Sequence, residues 1–585
     1  MKKLTVCIYM NIVLSVLFSI LSLSFHADIS LLAFPLAAVF TAILFYSGNI
    51  QLLKKSNLRH LTAIRRVFQY EPFVFISAFV IQRSGNSGMP FALDIMCALV
   101  WTVTMLISFY IQHILSEKRI VSLNEEWGAL VQNFPKSSLH GAAAVLREIL
   151  EWVDALIQAV FTIILLNIFL FQLYEIPSES MVPTFLVKDR VVVFKTLAGP
   201  KFPLSQAGIP YIQDYKRGDI VVFRNPHYGN DRKSEVKTFF SQFIYMCSLT
   251  LLKTNTDENG EIKADPLVKR IVGTEGEQLV MLDGNLYSRT RANPEFKVVE
   301  DDKKWAAWNL NGLSSETKNK IEWIPMSESD YDSTLYIESE RRALDLKSAA
   351  AECERLSAQF ASFAKGGTVS AEIAAGLLNS ADLFIYNLFS SVNTHALNLL
   401  TVDGGAQWFD MFMNGWHKNS SVLDAFLVGG DMYSDACFRL NVMAKLAFGR
   451  IVVETARLVE SGASSSEVAA SPVRMEQLVF AQALNDYILR MDQRNMPVFP
   501  PNNSDGTMAV IPAKSYMMMG DNRYNSLDMR HSYKQALVNV TAYDPLSIRY
   551  YSNMAPQYVE RDRILGKASF RFWPLNRIGI PDSRK

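Results

Sequence analysis

The sequence predicts a membrane-embedded α-helical N-terminal region joined to a mainly-β domain that a large α-helical insertion interrupts. Three observations carry that prediction. Apolar runs of membrane-crossing length crowd the first 174 residues, and short β-branched runs between turn residues fill 175 to about 300 and return after about 510. Between those β-rich parts, apolar residues recur every three to four positions.

The chain has 585 residues, of which 49% are hydrophobic, and its mean hydropathy is positive. That is too long and too apolar for one soluble domain. Lys plus Arg number 58 against 57 for Asp plus Glu, which leaves no charge excess to attract nucleic acid. Cys7, Cys97, Cys247, Cys353 and Cys437 stand far apart with no CxxC pair, so neither a zinc site nor a disulfide framework is suggested and no cofactor is called for.

Apolar runs at 4–25, 29–53, 91–115 and 152–174 each reach the roughly 20 residues that a helix needs to cross hydrocarbon. A shorter run at 67–82 carries Glu71 and Pro72, and its length alone also fits an interfacial segment. Charge decides for a span. The loop KKSNLRHLTAIRR holds Lys54, Lys55, Arg59, Arg65 and Arg66, which the positive-inside rule places in the cytoplasm. If 67–82 crosses, Lys2, Lys3, Lys118 and Arg119 also lie inside and everything after 174 lies outside. Five spans are therefore expected, with the first read as a retained anchor rather than a cleaved signal.

Beyond the spans, RVVVFK, GDIVVFRNP and KRIVG are punctuated by Gly, Pro, Asn and Asp, the texture of strands and turns. The soluble part divides into a first β portion at 175–337, a helical insertion at 338–495 and a second β portion at 496–585. Within the insertion, Ser471 followed by Pro472 predicts an N-cap and first-turn proline. The apolar segment 238–253 is too short for a span. An interfacial dip and a buried strand pair or core helix both fit it.

Ser180 lies just after the fifth span in YEIPSESMVPTFLVKDRVVVFK. Serine needs a base, and His227, His395, His417 and His531, the histidines of the soluble part, sit in no triad-like context. A lysine serves if burial lowers its pKa enough to leave the amine neutral. Lys269, flanked by Val268 and Ile271 in DPLVKRIVG, occupies such a strand-like setting.

The run IPSESMVPTFLVKDRVVVFK, with RGDIVVF at 217–223, VKRIVGTEG at 268–276, MGDNRYNSLDMR at 519–530 and the terminal RFWPLNRIG at 571–579, resembles the ordered motif set of type I signal peptidases. These are membrane-bound serine proteases with a Ser-Lys dyad on a β fold. The resemblance implies Ser180 as nucleophile and Lys269 as general base. It implies that Ser178 supplies its hydroxyl to an oxyanion hole and that Ser526 hydrogen-bonds and aims the lysine amine. Asp521, Arg523, Asp528, Arg530 and Arg270 match supporting residues, for which a structural ion-pair network and direct involvement both remain open. Three positions depart from the family pattern, Glu179, Tyr524 and Met529. Glu179 sets a carboxylate beside the nucleophile that could raise the lysine pKa.

The implied activity is removal of N-terminal signal peptides from exported preproteins at the extracytoplasmic face of the cytoplasmic membrane. Secretory preproteins are the implied substrates, membrane lipid and the secretion translocon the implied partners, and nucleic acid is not one. Two other readings stand beside it. A repressor-type autoprotease is disfavoured by five spans and the lack of a DNA-binding element. A degenerate membrane scaffold using the insertion for partner binding is disfavoured by the intact set Ser180, Lys269 and Ser526.

Overall fold

The computed structural model describes residues 2–86, 88–116, 119–120, 126–127, 141–212, 214–229, 231–248, 252, 254–257, 260–367, 377–418 and 431–581. Lys118 and positions 249–251 and 253 of the apolar 238–253 run lie outside the described residues. Helix α1 spans Lys2–Leu21, α2 Ala33–Phe45 with a π-helical extension Tyr46–Lys54, α3 Leu61–Arg83, α4 Phe91–Ile114 and α5 Ala142–Phe169. Among the described residues, four helical stretches are long and apolar enough to cross a membrane: Lys2–Leu21, Ile29–Lys54, Phe91–Ile114 and Ala144–Phe169.

Helix α3 is not one of those four, because its N-terminal turns are basic and polar. Its 23 residues nevertheless measure about 35 Å at ~1.5 Å per residue, longer than the 67–82 run alone suggests. It packs among α1, α2 and α4, with Phe18 stacked on Phe75 at 4.6 Å and Phe68, Phe75 and Phe79 fully buried. At its centre Glu71 is enclosed. Its carboxylate accepts from Asn11 Nδ2 at 2.7 Å, from Ser15 Oγ at 2.8 Å and from Ser108 Oγ. These donors satisfy a group whose unpaired burial would cost several kcal/mol.

Helix α5 ends at Phe169, short of the 174 expected, because Phe171–Glu175 forms strand β1. Strand β1 pairs residue for residue with β2, Arg190–Phe194. Next come β3 (Ile220–Phe223), helix α6 (Arg232–Cys247), β4 (Leu267–Gly273), β5 (Glu277–Leu282), β6 (Asn285–Thr290) and β7 (Lys297–Val298). Residues 238–247 of the 238–253 run are thus helical. The later strands are β8 (Met496–Phe499), β9 (Ser515–Met519), β10 (His531–Asn539), β11 (Arg549–Met554), β12 (Val559–Glu560) and β13 (Ile564–Trp573).

Seven strands form one sheet in the order β1-β2-β13-β3-β4-β9-β12, antiparallel at every pairing. A second sheet runs β7-β6-β5-β8, and β10 and β11 form a hairpin. All four residues of IVVF in β3 are buried, as expected of a central strand covered on both faces.

Two short helices, α7 (Glu300–Trp305) and α8 (Ser315–Lys318), precede the helical block. The block then comprises α9 (Glu328–Ala343), α10 (Leu346–Phe363), α11 (Ile385–Ser390), α12 (Val392–Thr401), α13 (Gly405–Lys418), α14 (Met432–Glu460), α15 (Ser465–Ala470), α16 (Pro472–Leu489) and α17 (Met491–Arg494). Its first helix starts ten positions before 338 because Ser327 caps it, accepting from the Asp330 amide. Ser471 caps α16 with Pro472 in the first turn, as the sequence suggested. Helix α14 is the spine, with Trp408, Phe412 and Trp416 of α13 packed into the same core. Ion pairs tie the block to the β part. Arg341 reaches Asp283 in the β5–β6 turn at 2.6 Å, buried Lys445 meets buried Asp544 at 2.6 Å, and Arg494, paired within the block to Glu338, donates from Nη2 to the Asp283 carbonyl at 2.9 Å.

Candidate active site

Ser180 sits in the single 3-10 turn Glu179–Met181 that follows β1. The turn is held from below by its apolar residues. Ile176, Met181 and Phe185 pack with Val191, Val193, Ile220, Val222 and Ala568 of the sheet, which leaves Ser178 exposed and Ser180 half-buried on the opposite side.

Lys269 projects from β4, a strand flanked by β3 and β9. Its Cα partner on β3 is Val221, and the neighbouring Arg270 pairs with Met519 on β9. Sheet on both sides leaves Lys269 only 3% exposed. Its Nζ donates to Ser180 Oγ at 2.5 Å. Burial pushes the ammonium pKa down to about 8; Asp528 and Asp521 oppose that and Arg530 adds to it. A lysine so placed gives up its proton about as readily as a general base working near neutral pH requires.

Three buried ion pairs frame the pair. Arg270 is bidentate to Asp521, Nε to Oδ1 and Nη2 to Oδ2, each at 2.8 Å. Its Nη1 donates to the Gly218 carbonyl at 2.8 Å, and its guanidinium lies 4.8 Å over the Trp305 ring. Arg523 meets Asp302 of α7 at 2.5 Å. Arg530 is bidentate to Asp528 at 2.8 and 3.0 Å, and Asp528 also accepts the Gly520 amide at 2.9 Å. Burial pushes the Asp528 carboxyl up, but the Arg530 guanidinium outweighs it and the pKa falls below the usual range. All five residues Arg270, Asp521, Arg523, Asp528 and Arg530 are fully buried. Of these, Asp528, Asp521 and Arg530 act on Lys269 through their charge.

Ser178 Oγ stands 3.4 Å from Ser180 Oγ, and Ser178 is the more exposed of the two. Ser526 differs from expectation. Its hydroxyl is buried next to Gly520 and has no hydrogen-bond partner among the described residues, so it does not contact the lysine amine here. Glu179 differs too. Its carboxylate turns away from Lys269, accepting the Glu322 amide and Asn525 Nδ2 at 3.4 Å, and it is absent from the charges that move the lysine. Tyr524 packs edge-on against Trp308 at 5.3 Å, and Met529 is core.

A residue that motif reasoning passed over is Asn522. Its amide donates to the Ser180 carbonyl at 3.1 Å and its Nδ2 to the Glu179 carbonyl at 3.2 Å, clamping the turn against the end of β9. Its one signal in the sequence was its place inside GDNR. Gly520 completes the clamp, since a Cβ there would overlap Ser526 Oγ and the Ser180 carbonyl oxygen. The four histidines are engaged elsewhere: His227 with Gln557, His395 with Asn387, His417 with Asn414 and His531 with Asp492.

Residues 149–329 and 451–573 match the family model described as signal peptidase, peptidase S26, just over half of the chain. The chain belongs to this family. Ser180, Lys269 and the GDNR block all fall within the matched segments, whereas 330–450, most of the helical block, lies between them. Among curated members, signal peptidase I of Pseudomonas aeruginosa is 27% identical over 162 residues, covering 27% of this chain and 55% of the relative. Signal peptidase I P of Bacillus subtilis subsp. natto is 28% identical over 166 residues, 28% of this chain and 64% of the relative. Signal peptidase I of Bacillus licheniformis is 36% identical over 158 residues, 27% of this chain and 60% of the relative. The chain thus spans little more than half the length of these curated relatives.

Proposed function

We propose that this peptidase S26 member is a membrane-bound serine endopeptidase that removes N-terminal signal peptides from exported preproteins, with Ser180 as nucleophile and Lys269 as general base. The observation that carries the reading is the 2.5 Å approach of Lys269 Nζ to Ser180 Oγ on a strand that keeps the lysine dry. Neutral Lys269 removes the Ser180 proton as Oγ attacks the scissile carbonyl. The tetrahedral oxyanion is held by the Ser180 amide and the Ser178 hydroxyl, donors of a kind typically worth about 3 kcal/mol. Lysine then protonates the leaving amine, and a water deprotonated by the same group hydrolyses the acyl-enzyme. The buried pairs Arg270–Asp521 and Asp528–Arg530 keep β4 and the GDNR turn in register, and Ser526 is a candidate to aim the lysine once substrate enters.

The substrate docks as an added strand beside Ser180. The serine follows α5 by one short strand, so it meets peptide bonds at the bilayer surface, where signal peptides end their apolar run. The basic 54–66 segment supports a cytoplasmic loop, α3 as a fifth span and an extracytoplasmic β domain, with 338–495 inserted into that domain and the secretion translocon delivering substrate.

The test is cleavage of a model preprotein with an A-x-A site by wild type, Ser180→Ala, Lys269→Ala and His531→Ala. The first two variants should be inactive and the third normal. Activity surviving in Lys269→Ala rules out the proposed base, and a wild type that cuts nothing returns the scaffold reading. Single cysteines placed in the 83–90 loop should label from outside intact cells if α3 spans.

A further inference from the structure

A cavity of about 490 Å³ opens where the last turns of α5, the loop between α3 and α4, the 195–206 segment and α6 converge. Its two walls differ in chemistry. Ile164, Ile168, Phe239 and Phe243 make an apolar side, and Lys195, Arg224, Arg232 and Lys263 face it from the β domain. Most of the acids at its rim are already engaged. Asp94 is held by Arg83 at 2.5 Å and by Ser205 at 2.6 Å, and Asp562 by Lys201 at 3.4 Å. Glu235 shares Arg232 at 3.6 Å and Arg224 at 4.0 Å, while Asp265 accepts the Asn225 amide at 2.9 Å.

Lys195 is left without a counter-charge. No ion pair or hydrogen bond of its ammonium is present among the described residues, its burial and the nearby Arg224 both disfavour the charged form, and its pKa is lowered to about 8. Arg232 is already engaged, its outer nitrogens on the Leu204 and Arg83 carbonyls and its charge on Glu235. Lys195, with Arg224 close by, therefore lines the cavity as an unpaired cation next to apolar side chains. An anion with a hydrocarbon tail satisfies the lysine and the apolar lining together.

We propose that this cavity binds an anionic phospholipid, its phosphate at Lys195 beside Arg224 and its acyl chains along Ile164, Ile168, Phe239 and Phe243. The inference rests on the reading that α5 crosses the bilayer, which sets Ile164 and Ile168 at the level where hydrocarbon meets headgroups. Basic pockets against membrane helices select lipid phosphates by the same charge-assisted hydrogen bonds.

The full chain, carrying Ser180→Ala to uncouple binding from cleavage, is reconstituted in phosphatidylglycerol or phosphatidylcholine nanodiscs, extracted into mild detergent and weighed by native mass spectrometry. Phosphatidylglycerol should be retained and phosphatidylcholine lost. Lys195→Met should weaken retention about tenfold, Lys195→Arg should restore it, and Lys297→Met, a distant exposed change, should leave it unaltered. Equal retention of both lipids, or unchanged retention in Lys195→Met, overturns the proposal. Displacement of the lipid by millimolar inorganic phosphate assigns the site to free phosphate and overturns it too. Cleavage by the Ser180 form is measured separately, so a chain that retains lipid but cuts nothing refutes the proposed function without touching this one.

Discussion

Raising the pH through 8 is expected to switch this peptidase on, and replacing Lys269 by methionine is expected to trade activity for stability. The folded chain lowers the lysine pKa from 10.5 to about 8, and at ~1.4 kcal/mol per unit the buried charge costs about 3 kcal/mol. Below pH 8 the amine keeps its proton and cannot take one from Ser180. Consequently kcat/KM should rise about tenfold per unit up to pH 8 and level off above about 9. The stability effect has a definite sign. Between pH 8 and 10.5 the unfolded chain binds the proton that the folded chain has released, so stability rises with pH across that window. Below 8 the full cost is present. Lys269→Met removes it, and should gain up to about 3 kcal/mol at pH 7 while flattening the dependence between 8 and 10.5. The assays are a pH profile of peptide cleavage in detergent and denaturant unfolding of both forms. An activity midpoint near 10.5, or a methionine variant that is destabilised at pH 7, would refute the argument.

Arg270→Met should lose roughly 3–5 kcal/mol in denaturant melts, because Asp521 is stranded as a buried unpaired charge, and adding Asp521→Met should recover part of that loss. Gly520→Ala should leave the circular dichroism spectrum unchanged yet lower kcat about a hundredfold, since the new Cβ displaces the Ser180 turn from the end of β9. Ser178→Ala should lower kcat about a hundredfold with KM little changed, as removal of one oxyanion donor does. A KM effect alone would place Ser178 in substrate binding.

Local properties of this chain were legible in its sequence and distant ones were not. Hydropathy located the apolar helices because crossing hydrocarbon is a demand on consecutive residues, but it clipped α3, whose helix continues through basic turns that carry no apolar signal. It overran α5, because Phe171–Glu175 is apolar enough to extend a span and is claimed instead by pairing with β2. The approach of Lys269 to Ser180 followed from their motifs. The Asn522 clamp, the unbonded Ser526 hydroxyl and the outward turn of Glu179 depend on how β9 meets the Ser180 turn, and no short window of sequence encodes that meeting. The same holds for β13, which lies between β2 and β3 although the helical block and nine other strands separate it from them in the chain.

That strand order has a temporal consequence. The ribosome delivers β1 to β4 hundreds of residues before β9 and β13, so until the C-terminal segments emerge the sheet lacks the strand between β2 and β3 and β4 has a bare edge. A lysine on a bare edge is hydrated and keeps its ordinary basicity, and the Ser180 turn has no Asn522 to clamp it. Until β9 and β13 are made, Ser180 and Lys269 therefore differ from their folded chemical character, and the proposed catalytic competence waits for those two strands.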